Sequence, residues 1–254
     1  MLQEDRLNNI KALLTQSTTA SLAEIAKLNQ VSLDTTRRDL AALEELGFAK
    51  RVRGGAVLNT DDRRTQSYSI RSFINQEKKA ELSELVGKVI KNGQTVALNG
   101  GTTNQMVATS LIRQFDHLTV ITTSFPVLDL LLGAEKFSVI IPGGVVDHQE
   151  KSIYGSHCAE EIRNYNVDVA LIAVNALSLS KGVTDFRSHE VDVIDAMLTN
   201  ASRRYIVADS SKFETVSCFN LWPLSAFDGI ITDSGLSRDI ESKYIQAGIR
   251  IIRP

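Results

Sequence analysis

The sequence has little cysteine, no long apolar run and no large excess of charge. Its two cysteines, Cys158 and Cys218, lie far apart and follow neither a metal-ligand nor a redox spacing, so both are expected to be reduced, packed thiols. No apolar stretch approaches the ~18 residues of a membrane span, and residues 1–6 lack the basic-then-apolar order of a signal peptide. We therefore expect a cytoplasmic protein with no membrane partner and no metal site.

The composition is that of an ordinary globular protein, with 43% hydrophobic and 23% charged residues among 254 and a net charge of -2. The charge is unevenly placed, because the first 56 residues carry eight basic and seven acidic side chains, net +1, and the remainder carries net -3. Most of the basic residues of the first segment lie close together in sequence: Arg37, Arg38, Lys50, Arg51 and Arg53. Such a local cluster is typical of nucleic-acid binding.

The first 58 residues predict three helices and a β-hairpin. The predicted elements are helices around residues 7–14, 22–26 and 32–47, a strand over 48–53, a turn at 54–55 and a returning strand over 56–58. Ser21 and Ser32 are placed as N-caps, and Gly47 as the stop of the third helix. This order predicts a helix-turn-helix with a β wing.

The third helix has the composition of a DNA-recognition helix. On a helical wheel, its apolar side carries Leu33, Thr36, Leu40 and Leu43, and the opposite side carries Asp34, Thr35, Arg38 and Ala42, with Arg37 on the flank. Arginine binds guanine edges or phosphates, and threonine contacts phosphates or thymine methyl groups. We predict that Thr35 and Arg38 read bases and that the basic residues of the wing bind phosphates. The predicted DNA-binding residues are Ser32, Thr35, Thr36, Arg37, Arg38, Lys50, Arg51 and Arg53.

A solvated helix surface is the competing interpretation of these residues. Its charges would then only form pairs along the helix, such as Asp34 with Arg38. The basic wing that follows favours DNA binding, since it places phosphate contacts beside the helix.

The rest of the chain predicts an α/β domain. Residues 59–76 are polar and charged, and we interpret them as a linker between a DNA-binding domain at 1–58 and a second domain at 77–254. Short apolar runs alternate there with helical segments, at residues 95–98, 118–122, 137–141, 167–174, 204–208, 229–232 and 249–252. This alternation predicts a mostly parallel sheet covered on both faces.

A glycine-rich turn in the second domain predicts an anion site. Residues 99–103, Asn-Gly-Gly-Thr-Thr, join the strand 95–98 to a helix predicted over 104–115. Glycine lets the backbone approach a ligand, and the N–H groups at a helix start attract an anion, of which phosphate is the best candidate. A plain strand-to-helix turn with a threonine cap is equally compatible with this motif alone.

Other turns at the same edge of the predicted sheet strengthen the ligand-site hypothesis. Residues 122–124 and 142–144 follow the next two strands, and ligands of parallel sheets bind beyond the carboxyl ends of the strands. Glu190, Asp209 and Lys212 would add groups for sugar hydroxyls and an anionic end, with surface charge and helix capping as the alternative. The predicted effector-binding residues are Asn99, Gly100, Gly101, Thr102, Thr103, Thr123, Ser124, Gly143, Gly144, Glu190, Asp209 and Lys212.

Two stretches together carry a family signature: Val31-Ser32 with Thr35-Thr36-Arg37-Arg38-Asp39-Leu40 and Leu43-Glu44, then Gly47 and Arg53-Gly54-Gly55-Ala56. They closely resemble the N-terminal signature of the DeoR family of bacterial transcriptional regulators. The resemblance continues at 99–103, 143–144, 182–190 and 209–213, and so covers nearly the whole chain. It implies a C-terminal domain similar to the ribose-phosphate isomerase fold, which senses phosphorylated sugars and alters DNA binding.

The sequence also departs from the usual family pattern. Thr36 stands where isoleucine is usual, Asn99 where aspartate is usual and Thr123 where asparagine is usual. Ala173, Ala176 and Ile194 replace a common glycine, glycine and lysine. The departure at Thr36 bears on how well the third helix packs, and the other five bear on which sugar is sensed and how strongly.

Two other function classes compete with a regulator. A sugar-phosphate isomerase with an accessory DNA domain would need a carboxylate to move a proton between adjacent carbons, and residues 175–178 after the strand 167–174 offer none. A DNA-binding architectural protein would have no use for the large α/β domain. We therefore predict a repressor of a carbohydrate-utilisation operon that binds double-stranded operator DNA and a sugar phosphate. It is expected to form a homodimer or higher homo-oligomer, without catalytic residues or cofactor.

Overall fold

The computed structural model describes residues 1–59 and 67–254. The chain divides into two compact units, Met1–Ile74 and Asn75–Pro254, called unit 1 and unit 2 below. The predicted DNA-binding segment 1–58 lies in unit 1, and the predicted sensing segment 77–254 lies in unit 2. Within the predicted linker 59–76, residues 60–66 are outside the described part of the chain.

Unit 1 is built from helices and a small antiparallel sheet. Its elements are α1 (Gln3–Ser17), β1 (Thr19–Ser21), α2 (Leu22–Asn29), α3 (Leu33–Glu45), β2 (Ala49–Val52), β3 (Gly55–Leu58) and α4 (Tyr68–Arg71). The predicted hairpin is β2 with β3, and β1, which the sequence did not predict, pairs with the other side of β3. Both predicted caps are confirmed, because the hydroxyls of Ser21 and Ser32 accept the N–H groups of Glu24 and Thr35 at 3.2 Å.

The core of unit 1 extends into the predicted linker. Ile70 of α4 is buried in the same cluster as Leu40 and Phe48, and the ring of Phe73 packs edge-on against Phe48 at 5.9 Å between centroids. The linker boundary at 59–76 is therefore corrected, since residues 68–74 belong to unit 1. Their few apolar side chains, set among polar neighbours, complete its core.

Unit 2 alternates strands and helices as predicted. Its elements are α5 (Gln76–Ser83), β4 (Thr95–Leu98), α6 (Thr102–Gln114), β5 (Thr119–Thr122), α7 (Phe125–Leu132), β6 (Ser138–Ile140), β7 (Val145–Asp147), β8 (Ser152–Tyr154), α8 (Ser156–Ile162), β9 (Val167–Ala173), β10 (Ala176–Ser178), β11 (Gly182–Asp185), α9 (Val191–Thr199), β12 (Ala201–Val207), β13 (Phe219–Trp222), β14 (Gly229–Ile231), α10 (Arg238–Gln246) and β15 (Ile251–Ile252).

A seven-stranded parallel sheet forms the centre of unit 2, in the order β15-β14-β12-β9-β4-β5-β6. It contains all seven predicted strands. Alternate residues point to opposite faces, so that in β4 Val96 and Leu98 join one buried cluster and Ala97 joins the other. The predicted covering of both faces is confirmed.

The order of the strands defines a switch point. From β4 the chain adds β5 and β6 on one side, and then β9, β12, β14 and β15 on the other. The connections on the two sides of β4 therefore diverge beyond the carboxyl ends of β4 and β9. A crevice at such a point is where open α/β sheets bind ligands.

Two small antiparallel pieces flank this sheet, and the sequence did not predict them. They are the hairpin of β7 with β8 and the sheet β10-β11-β13. Their strands have three or four residues, too few for a clear alternation. Among the two cysteines, Cys158 is packed as predicted, and burial raises the pKa of its thiol to about 11, whereas Cys218 is exposed.

In the described part of the chain, every helix is too short or too polar to cross a lipid bilayer.

Candidate functional site

The helices α2 and α3 are joined by a tight turn of three residues. Gln30 has φ +54°, and the N–H of Val31 donates to the carbonyl of Ala26 at 3.1 Å. Ser32 then caps α3, and its carbonyl accepts the hydroxyl of Thr36 at 3.1 Å. This turn fixes the direction in which the start of α3 leaves α2.

The start of α3 presents polar and basic side chains to solvent. Arg37 and Arg38 are exposed, and Thr35 is half-buried with its Oγ1 3.0 Å from Ser32 Oγ. Arg37 pairs with Asp34 at 2.6 Å, instead of the Asp34 to Arg38 pair weighed from the sequence. Exposed pairs of this kind contribute only about 0–1 kcal/mol, so a phosphate can replace the carboxylate.

Two predictions for α3 are corrected by burial. Thr36 is fully buried, so its place among the predicted DNA contacts is wrong, and its hydroxyl supports the helix cap instead. Leu33, assigned to the buried face, is 45% exposed. It is the first helical residue, and its side chain lies beyond the part of α3 that the other helices cover. An apolar group there suits a thymine methyl.

A buried ion pair fixes α3 against α1. Arg6 donates to both carboxylate oxygens of Asp39, at 2.7 and 2.9 Å, and Asp39 is buried on the inner face of α3. Asn9 donates to the buried Asn29 at 3.0 Å beside this pair. The sequence pattern missed Asp39 because its partner lies 33 residues away. A bidentate pair of this type sets the helix rotation and so the face shown to solvent.

The wing carries the predicted basic residues on its surface. Lys50, Arg51 and Arg53 are exposed, and Arg53 lies in the turn with Gly54. The N–H and guanidinium of Arg51 bond to Glu44 of α3, which lowers the pKa of that carboxyl. The turn needs glycine, because Gly54 has φ +91° and a Cβ at Gly55 would lie 2.1 Å from the carbonyl oxygen of Ala20. The wing is thus tied to both α3 and β1.

In unit 2 the predicted glycine-rich turn lies at the switch point. Gly101 has φ +148°, and a Cβ there would lie 3.1 Å from the Cβ of Ala173. The first helical hydrogen bond of α6 runs from Gln105 to the carbonyl of Gly101, at 3.2 Å. Among the described residues, the N–H groups of Thr102, Thr103 and Asn104 have no acceptor. Three amides at a positive helix end form an anion-binding geometry.

Asn99 holds this turn instead of facing a ligand. Its amide bonds to both the N–H and the carbonyl of Ala173, at 2.8 and 3.0 Å, and it accepts from Asn104 at 2.9 Å. Both polar atoms of this buried side chain are bound to protein groups, so its predicted direct contact with the effector is corrected to a structural role. It joins the carboxyl ends of β4 and β9.

A buried charge cluster contacts the turn, and most of its residues have no distinctive pattern in the sequence. The guanidinium of Arg187 donates to the carbonyl of Gly100 at 3.1 Å and to both oxygens of Asp185, at 2.7 and 3.0 Å. In a planar trans peptide the C=O and N–H groups point in opposite directions. The hydrogen bond from Arg187 to the Gly100 carbonyl therefore makes the N–H of Gly101 point away from Arg187. Arg187 therefore sets the orientation of the peptide that begins the anion-binding turn.

Two further carboxylates complete the cluster. Glu190 Oε2 lies 2.9 Å from Arg187 Nη1, although not in hydrogen-bond geometry. Glu190 Oε1 accepts a hydrogen bond from the hydroxyl of Ser152 at 2.9 Å. The carboxylate of Glu150 lies 3.7 Å from Arg187 Nη1. The pKa of Glu190 is raised, mainly by burial and further by the nearby carboxylates of Asp185 and Glu150. The positive charge of Arg187 lowers this pKa but does not cancel the rise. Glu190 also approaches the turn, since a Cβ at Gly100 would lie 3.0 Å from its Oε1. The predicted proximity of Glu190 to this turn is thus observed.

The turns after β5 and β6 are engaged with protein groups. Ser124 is buried and caps α7, and the carbonyl of the buried Thr123 accepts the N–H of Ile153 at 2.8 Å. The N–H of Gly143 donates to Glu161 at 2.9 Å, and a Cβ at Gly144 would lie 2.6 Å from the carbonyl oxygen of Tyr154. Ser124 and Gly144 are explained by these structural contacts, and effector contacts at this side remain predictions.

The segment 209–212 lies beyond the carboxyl end of β12. Asp209 is fully buried, and its Oδ1 accepts from Asn75 and from the N–H of Ser211, both at 3.0 Å. Its Oδ2 has no hydrogen-bond partner among the described residues. Lys212 ends a short 3-10 helix there and is half-buried. Both residues therefore lie at the same edge of the sheet as the glycine-rich turn.

The sequence matches two family descriptions. Residues 6–62 match the DeoR-like helix-turn-helix domain, and residues 74–234 match the DeoR C terminal sensor domain. The chain belongs to the DeoR family. It is therefore a DNA-binding transcriptional regulator with a sensor domain, as its sequence predicts.

Relatives of this DeoR-family protein align over most of their length. The HTH-type transcriptional repressor GlcR of Bacillus subtilis (strain 168) is 36% identical over 92% of this chain and 89% of its own. The HTH-type transcriptional regulator GolR of Listeria innocua serovar 6a is 28% identical over 99% and 98%. The solved ribose 5-phosphate isomerase A of Methanocaldococcus jannaschii matches with a TM-score of 0.41 at 16% identity, over 55% of each chain.

Proposed function

We propose that this DeoR-family protein represses transcription by inserting the start of α3 into the major groove of an operator. The observation that supports this is that Arg37 and Arg38 at the start of α3 and Lys50 and Arg53 of the wing are all exposed, with the wing joined to α3 through Arg51 and Glu44. Arg38 makes no ion pair with any described side chain, so its guanidinium is available for a guanine edge. Arg53, at the tip of the wing, is placed for a phosphate.

The DNA half of the proposal is tested by comparing Arg38→Ala with Arg53→Ala on a DNA sequence selected from a random library. Arg38→Ala should cost about 1–3 kcal/mol and relax the preference at one base pair, since a base contact is lost. Arg53→Ala should weaken binding to all sequences and lower the salt slope by about one. Fluorescence anisotropy at several salt concentrations measures both. Equal losses on selected and random DNA for both variants would contradict the assigned roles.

We further propose that a phosphorylated sugar bound in unit 2 controls DNA binding. The three amides at the start of α6, which follow Gly101, suit a phosphate at the switch point, and Arg187 orients the peptide N–H of Gly101 just before them. Carboxylates at the same edge, Glu190 and Asp209, suit sugar hydroxyls. The ligand would act by favouring one of two domain arrangements that differ in affinity for DNA.

A charge placed in the anion site tests this control. Gly101→Asp sets a carboxylate against the phosphate and should abolish the response to sugar phosphates while DNA affinity stays unchanged. Because the Cβ at Gly101 would lie 3.1 Å from Ala173, Gly101→Ala serves as the steric control. Calorimetry with glucose 6-phosphate, fructose 1-phosphate and ribose 5-phosphate measures binding. A response that persists in Gly101→Asp would place the site elsewhere.

An isomerase is the second candidate, and one observation favours testing it. The sequence offers no carboxylate at 175–178, but the structure brings Glu190 against Gly100 from another part of the chain. Asp185 is bound to Arg187, which donates to the Gly100 carbonyl. A carboxylate with a raised pKa is suited to move a proton between adjacent carbons. Turnover of the same sugar phosphates well above background would establish this activity, and Glu190→Gln would then abolish it.

A further inference from the structure

The first residue of unit 2 is hydrogen-bonded to the loop that follows β12. Asn75 comes directly after Ile74, where unit 1 ends. Its Nδ2 donates to Asp209 Oδ1 and to Ser211 Oγ, both at 3.0 Å. Asn75 also has φ +54°, a left-handed conformation that few residues other than glycine adopt. Asn75, the first residue of unit 2, is therefore bound to the segment 209–212 of the same unit.

The helix that begins there continues this attachment. Lys78 of α5 donates to Ser210 Oγ at 2.9 Å, and Ser210 in turn donates to the buried Asp233. Glu81 accepts both the N–H and the hydroxyl of Ser234 at 3.0 Å. The position of α5 is thus set by polar contacts to the loops after β12 and β14, at the edge where the sheet binds ligands.

Asp209 accepts the hydrogen bond from Asn75 and lies just beyond the carboxyl end of β12. Its carboxylate is fully buried, and Oδ1 accepts from Asn75 and from both the N–H and the hydroxyl of Ser211. Oδ2 has no partner among the described residues. A buried acceptor without a donor is costly, so a ligand hydroxyl that donates to it gains an interaction. β12 is separated from β4 by one strand, about 9.5 Å in all. A pentose or hexose phosphate held at the start of α6 spans this distance.

Resting on the proposed function, we propose that Asn75 is the positioning residue that transmits ligand binding at Asp209 to unit 1. A sugar hydroxyl that donates to Asp209 Oδ2 draws negative charge toward that oxygen, which weakens the hydrogen bond that Oδ1 accepts from Asn75. The contact that fixes the first residue of unit 2 then differs between the bound and unbound states. Such a difference is what couples two sites.

The test uses Asn75→Gly in the full chain. Glycine removes the amide and tolerates the left-handed backbone, so the fold is preserved. Asn200→Ala is a matched control, because Asn200 also donates two hydrogen bonds, to the carbonyls of Arg163 and Tyr165 at 2.7 and 3.0 Å, at the opposite end of β12. The Kd for selected DNA is measured with and without glucose 6-phosphate, fructose 1-phosphate and ribose 5-phosphate, and calorimetry measures binding of each sugar phosphate.

Wild type and Asn200→Ala should show a ligand-induced change of about 5- to 150-fold in the DNA Kd, whereas Asn75→Gly should change by less than about twofold. Its separate affinities for DNA and sugar phosphate should equal those of wild type. Asn75→Asp, which sets a carboxylate against Asp209, should lose the change in the same way. A full ligand response in Asn75→Gly overturns the proposal, as does loss of sugar-phosphate binding in that variant. If the DNA affinity of wild type changes with none of these sugar phosphates, the proposed control by a sugar phosphate is wrong, and the proposal for Asn75 falls with it.

Discussion

At the scale of single residues, Leu33 is an apolar side chain that serves the surface and not the core. It is exposed at the start of α3, next to the residues proposed to read bases. We predict that Leu33→Ala weakens binding to selected DNA while changing the free energy of unfolding by less than about 0.5 kcal/mol. Leu40→Ala, in the core of unit 1, should instead cost about 2–5 kcal/mol. Anisotropy and thermal unfolding measure the two effects.

A loss of stability without a loss of DNA affinity would contradict this prediction and assign Leu33 to packing. A Leu33→Ala variant that unfolds as readily as Leu40→Ala, with its DNA affinity intact once folded, would mean that the exposed side chain supports the helix only.

Glu190 makes a prediction for the dependence of stability on pH. Its pKa is raised in the folded state, so its contribution to stability is complete below the unfolded value near 4.5 and is lost as pH rises through the folded value. Glu190→Gln carries no charge and still offers an oxygen to Ser152. This variant should therefore be more stable than wild type at neutral pH, with a difference that shrinks as pH falls toward 4.5.

Urea unfolding across this pH range measures the difference, with Glu135→Gln at an exposed position as the control. If Glu190→Gln and wild type are equally stable at every pH, the prediction is wrong. The attraction of Arg187 then fully offsets the free-energy cost of burying the charge of Glu190.

At the scale of elements, the local sequence pattern is sufficient to predict a strand or turn when neighbouring residues in the sequence show its burial or its turn. Each strand of the parallel sheet contains a short apolar run, because both faces of the sheet are covered, and all seven strands are predicted from these runs. The hairpin was equally clear, since Gly54 and Gly55 interrupt an alternating segment. The strands β10 and β11 form a local hairpin, but they are too short to show a clear alternation in the sequence. β13 is equally short, and its partner β11 is distant, since Phe219 pairs with Asp185.

The residues of the candidate sites also fall into two groups, those that the local sequence predicts and those that it does not. The turn at 99–103 was predicted from its glycines and its place between a strand and a helix. Arg187 and Asp185 were not, because charged residues in sequence indicate a solvated surface unless a distant partner is known, and the Gly100 carbonyl lies 87 residues away. The burial of Asp39 beside Arg6 was hidden for the same reason. Periodicity identifies apolar faces but not buried ion pairs.

At the scale of the whole molecule, each chain offers one recognition helix, and one such helix contacts only a few base pairs. We propose that the protein acts as a homodimer or higher homo-oligomer, because two copies on a two-fold operator multiply the discrimination of one. The selected DNA should then contain two inverted half-sites, with centres about 10–10.5 base pairs apart or a multiple of that spacing.

Changing the spacing between the half-sites tests this arrangement. Inserting about five base pairs turns one half-site to the opposite face of the duplex and should weaken binding nearly to that of a single half-site, whereas inserting about ten should restore part of the affinity. Footprinting gives the symmetry of the protected region, and sedimentation gives the number of chains in the complex. Because the two copies must be joined for spacing to matter, an affinity that ignores both insertions would mean that each chain binds alone.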